Sequence, residues 1–132
     1  MGLREAARAT MSASVEVSAI DEFLAAAPAS LRQLANELIG FLRKMHPGAY
    51  VTAWPRLKIV SFGFGPKKLS EHYFYIAMHR KRVNAGFYYG ASLPDPSLLL
   101  EGTGKNLRHV KVHTLQEARA ASLLALLAAA KE

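Results

Sequence analysis

The sequence contains no cysteine. That excludes a disulfide framework, a thiolate nucleophile and a thiolate metal site, and it suits a reducing compartment, so a cytoplasmic location is expected. No apolar run approaches the roughly 18 to 20 residues needed to cross a bilayer, and no membrane partner is expected. The N-terminal stretch MGLREAARATMSAS lacks the apolar core of a secretory signal. Ala6 stands where an N-myristoylation signal requires Ser or Thr. Internal repeats are absent, as are a nucleophile elbow and any paired-acid spacing that would single out catalytic residues among the many Ser, His and Asp. Binding rather than catalysis is therefore the expectation, with no catalytic set and no cofactor.

Acidic residues are also scarce: 10 Asp and Glu stand against 17 Lys and Arg, a net charge of +7. The excess is localised. Residues 57–113 hold nine basic and three acidic residues, +6 of the +7, so an anionic ligand or partner should meet the middle of the chain. A length of 132 residues is one domain's worth and can bury a core unaided. Residues 1–16 read as a flexible tail, with either Met1 or Met11 as the true start, and 17–132 as a single domain.

Ser18 is placed to cap a first helix that buries Ile20, Phe23 and Leu24, and Pro28 ends it. Ser30 then caps a helix over Leu31 to Met45, where Leu31, Leu34, Ala35, Leu38, Leu42 and Met45 recur at helical spacing. After His46-Pro47-Gly48 the pattern turns to period two, interrupted by Pro55, with strands near 57–64, 72–80, 82–89 and 107–113. The tight connection at Arg80 to Arg82 predicts an antiparallel hairpin. Thr114 and Glu117 form a capping box for one continuous helix over Leu115 to Ala130. The expected class is α+β: a largely antiparallel sheet with helices on one face, in the order α-α-β-β-β-β-α, or with a fifth strand if Val51 begins one.

Alternation sorts the strand residues. Phe74, Ile76 and Met78, with Val83, Ala85, Phe87 and Tyr89, should face the helices. Tyr73, Tyr75, His79, Asn84, Gly86 and Tyr88 should form the open face, where Gly86 would let a ligand approach the strand. The same tyrosines would equally suit a pleated surface packed under a loop. Gly102-Thr103-Gly104-Lys105 suggests a phosphate loop, but Leu99 and Asn106 stand where that motif needs Gly and Ser or Thr. It is either a plain tight turn, the stronger reading, or a small anion nest with Lys105, Arg108 and His109.

The segments GPKKLSEHYFYI from Gly65 to Ile76 and VNAGFYYGASLPDPSLLLEGTGKNLRHVKV from Val83 to Val112, with IDEFL from Ile20 to Leu24, resemble the YdhG-like family, domain of unknown function 1801. The resemblance spans Ile20 to Leu127 and implies a compact intracellular α+β domain, mostly of bacterial origin. Some relatives are described as frataxin-like iron chaperones, but the family has no agreed activity and supplies no catalytic residues. Where many relatives carry Ser-Tyr-Gly-Met/Val-Pro, this chain has Ser61-Phe62-Gly63-Phe64-Gly65, so any role of that tyrosine hydroxyl is lost.

An iron chaperone needs clustered oxygen ligands, and residues 57–113 offer only Glu71, Asp95 and Glu101. His109 and His113 share a strand face but stand about 13 Å apart, so no metal site is expected. Nucleic acid is the third class, yet AGFYYGA lacks the basic start and aromatic spacing of an RNA-binding signature. The expectation is a small anionic ligand on the open face. Lys105 and Arg108 would supply charge and His109 a switchable donor, between walls of Tyr73, Tyr75 and Tyr88.

Overall fold

The computed structural model describes residues 19–132, the side chains of Lys68 and Leu69 excepted; the tail and the Ser18 cap lie outside the described residues. Helix α1 (19–25) buries Ile20 and Phe23. Helix α2 (Ala29–Met45) buries Leu31, Leu34, Ala35, Leu38, Ile39 and Leu42. Its N-cap is Pro28, so Ser30 lies inside the first turn and is not the cap. Arg32 closes the corner instead, donating to the carbonyls of Leu24 at 3.1 Å and Ala27 at 2.9 Å just after α1 ends.

Five strands follow: β1 (Tyr50–Trp54), β2 (Ile59–Gly63), β3 (His72–Met78), β4 (Val83–Phe87) and β5 (Arg108–Val112). They form one antiparallel meander in sequence order. The class is α+β, as the sequence predicts, with β1 the fifth strand. A 3-10 turn (Pro55–Leu57) joins β1 to β2, and a single helical turn, α3 (Lys68–Glu71), precedes β3. In the β3–β4 hairpin His79 N–H donates to the Arg82 carbonyl at 2.9 Å, with Arg80 and Lys81 at the tip.

Register rows define the two faces. Val60, Ile76, Ala85 and Val110 form one row and Phe62, Phe74 and Phe87 another, all buried against the helices. Leu38, Leu42, Leu123 and Leu127 meet them in a single core. The predicted C-terminal helix is two: α4 (Leu115–Ala118) and α5 (Ala121–Lys131). Thr114 caps α4 as expected, accepting from Glu117 N–H at 3.1 Å. The break comes where Ala120 turns extended (ψ 132°) and Arg119 reaches Glu37 of α2 at 2.7 Å. The two pieces then pack separately, α4 on α2 and β5, α5 on α2 and β3.

Candidate functional site

A β-bulge decides what the far face of the sheet displays. Phe62 pairs with Phe74, but Gly63 pairs with His72, which leaves Tyr73 as the extra residue. Such an insertion reverses side-chain direction beyond it. Tyr73, expected on the open face, therefore lies on the helix side, its hydroxyl 2.6 Å from Nδ1 of His46 at the end of α2 and its ring against Phe64. Desolvation pushes its pKa up to about 12. Burial, and then Lys131, lowers the pKa of His46, which favours the neutral imidazole in this pair.

His72 takes the opposite direction and enters a buried polar cluster. Ser61 Oγ lies 2.5 Å from His72 Nδ1 and 2.9 Å from the Tyr88 hydroxyl. All three residues are buried, Ser61 completely, so the serine is not an accessible nucleophile. Tyr88 and Tyr75 have rings 5.2 Å apart, and burial raises the pKa of both. Gly86 provides no opening for a ligand: a Cβ there would fall 1.9 Å from Cζ of Tyr75, whose ring occupies the space. Tyr75 and Tyr88 thus belong to a packed aromatic layer with the Ser61 cluster beneath the far face.

The cationic residues gather at the β3–β5 corner. Along this face Tyr75, Gly86 and His109 share one row and Ala77, Asn84 and Lys111 the next. His79 and Arg82 continue the alternation past the strand ends. Asn84 Oδ1 accepts from Arg82 Nε at 3.1 Å and orients the guanidinium. The pKa of His79 is lowered by burial first, then by Arg82 and His109, which marks each of the two as an electrostatic neighbour of His79. His109 exchanges backbone hydrogen bonds with Glu101 at 2.8 and 2.9 Å, and the Glu101 carboxylate stands 3.4 Å from Lys111 Nζ.

The glycine-lysine loop is elsewhere. Arg108 pairs with the core residue Phe87 and leaves the sheet on the helix side, where its guanidinium donates to the carbonyls of Gly104 at 2.6 Å and Leu107 at 2.7 Å. Gly102 has φ 131°, a glycine conformation, and Arg108 packs beside it. Gly102 to Lys105 is thus a clasped turn, with Lys105 exposed on it, and Arg108 lies on the sheet face opposite His109. Arg82 and Lys111 replace them in the candidate set. The same alternation that singled out Asn84 and His109 marks both, but the glycine-rich motif drew the charge assignment away.

Asp95 and Glu101, two of the three carboxylates weighed for iron, have local partners. Asp95 accepts from the N–H groups of Leu99 and Leu100, both at 2.9 Å, Glu101 pairs with Lys111 rather than with Lys105 or Arg108, and Glu71 lies against Gly65. Among the described residues no three His, Asp or Glu converge on one point. No described helix is long and apolar enough to cross a membrane. Comparisons of the chain with protein-family models, curated proteins and solved structures find no match.

Proposed function

We propose that this chain is a non-enzymatic domain that binds a small anionic ligand on the open face of its sheet, at the corner formed by His79, Arg82, Asn84, His109 and Lys111. The reading includes a cytoplasmic location, which rests on the absence of cysteine, and a YdhG-like assignment, which rests on the sequence resemblance alone. One observation carries the site: Arg82, held by Asn84, is an electrostatic neighbour of His79, which in turn neighbours His109, and Lys111 lies in the adjoining register row. A guanidinium fixed in this way offers its terminal N–H groups to a carboxylate or phosphate in a bidentate fork. Lys111, which also faces the Glu101 carboxylate at 3.4 Å, adds a point charge, His109 adds a ring donor, His79 adds a donor that strengthens when protonated, and the Tyr75 ring supplies an apolar border.

The test is calorimetric titration of inorganic phosphate, phosphorylated metabolites and dicarboxylates into the wild type and two double variants. Arg82→Ala with Lys111→Ala should weaken binding at least about tenfold, as expected for losing two charge-assisted contacts. Lys105→Ala with Arg108→Ala should leave affinity unchanged. The reverse pattern would return the site to the glycine-lysine turn, and the proposed corner would be abandoned. Iron(II) and a short single-stranded oligonucleotide complete the series. Binding of iron(II) alone, lost on substituting Glu71, Asp95 and Glu101, would favour a metal carrier; oligonucleotide affinity falling steeply with salt would favour a nucleic-acid surface.

A further inference from the structure

Glu101 is an acid set into a basic corner. It lies beside β5 in an isolated antiparallel bridge with His109, each residue's N–H donating to the other's carbonyl, at 2.8 and 2.9 Å. Residues paired in this way project to the same side of a sheet, so Glu101 shares the far face with His109 and Lys111. Its Oε1 stands 3.4 Å from Lys111 Nζ. The backbone just before it is fixed as well, since Leu100 N–H donates to Asp95 Oδ2 at 2.9 Å. The Pro94-Asp95-Pro96 turn, to which the anion site gives no part, thereby helps to place this acid. An ordinary surface ion pair contributes little, because two long side chains must be ordered to make it. Here the acid projects from backbone that hydrogen bonds already hold. Among the described residues that alternation places on this face of the strands, none is Asp or Glu. Glu117 of α4 faces His113 at 3.6 Å instead.

Resting on the anion reading of that corner, we infer that Glu101 is its specificity-determining residue and biases it toward singly charged anions. An ammonium has three N–H donors, and Glu101 engages Lys111 from one side, so a second anion can be held on another. An anion there would stand about 6 Å from the carboxylate, and in a solvent-like dielectric each unit of its charge is opposed strongly enough to weaken binding about threefold. A dianion meets that opposition twice and loses about tenfold. The charge balance gives the same preference. Arg82 and Lys111 are the cations of the corner, Glu101 offsets one, and a singly charged anion neutralises the other. A second negative charge is left to His79, whose neutral form burial favours. Arg80 and Lys81 are exposed at the hairpin tip, where salt screens them.

Nuclear magnetic resonance titrations of the full chain with methyl sulfate and with sulfate test it, because the two share a tetrahedral head and differ by one charge at neutral pH. The backbone amides of residues 82–84 and 109–111 report binding, at constant ionic strength. Glu101→Gln keeps the shape of the side chain and the backbone bridge and removes the charge. It should tighten methyl sulfate about threefold and sulfate about tenfold, so that the preference for sulfate over methyl sulfate rises about threefold. Glu37→Gln removes the same charge from α2, on the opposite side of the sheet, and should leave that preference unchanged. A merely structural role for Glu101 would move both affinities alike. An equal change for the two anions in Glu101→Gln, or none, would overturn the selectivity and leave the corner in place. A preference that rises as much in Glu37→Gln would assign the effect to net charge and dismiss Glu101. If neither anion shifts these amides in the wild type or in Glu101→Gln, the corner and its selectivity fall together.

Discussion

Gly86 looks in sequence like an opening in an aromatic strand, and in the fold it is filled by Tyr75. The difference is measurable. Gly86→Ala forces a rigid ring or the strand beneath it to move, and overpacking of this kind costs about 1–3 kcal/mol. Urea denaturation should show the loss, together with altered near-ultraviolet dichroism from the Tyr75 and Tyr88 pair; an unchanged midpoint would mean the ring is not seated there. Alternation placed Tyr75 and Tyr88 correctly, because both lie on the regular side of the bulge. It misplaced Tyr73 and hid the contact between His72 and Ser61, because one inserted residue reverses every direction before it in the strand. Nothing in HYFYI announces that insertion, which pairing between β2 and β3 imposes from outside the segment.

Among the elements, the second helix and the β3–β4 hairpin are legible from periodicity, since each gains its stability from a face that local spacing defines. The last helix is not. Its alanine-leucine composition favours an unbroken rod, and the division at Arg119 and Ala120 follows from docking the two pieces on different partners. The Thr114 cap survives that division because its hydrogen bond is local. Thr114→Ala should cost about 1 kcal/mol in chemical denaturation and Thr114→Ser far less. Equal losses for the two would show that the threonine methyl, not the hydroxyl, matters. Arg108 illustrates the converse at the β5 end: a residue that charge alone assigns to a ligand is occupied in clasping its own loop.

For the whole molecule, pH acts through His46 and His79, whose folded pKa values both lie below the ordinary one, with burial the largest cause in each. Between the unfolded value of about 6.5 and the depressed folded values, the unfolded chain binds more protons. Stability from these groups is therefore complete above the unfolded value and declines as pH falls toward the folded ones. Thermal melts from pH 8 to pH 5 should show a falling midpoint, with a shallower slope in the His46→Asn, His79→Asn double variant; an identical slope would sink the attribution. If the corner binds anions, phosphate should offset part of the loss, because a bound anion favours protonated His79. What the sequence alone determined are the properties carried by short periods and by counts: the apolar helix stripes, the alternating strands, the central basic excess and the α+β class. Tertiary structure decided which cations share a face, which tyrosine crosses to the core and where the last helix breaks. Those outcomes depend on register and docking, where the free energy is summed over contacts between segments far apart in the chain, and no local window contains that sum.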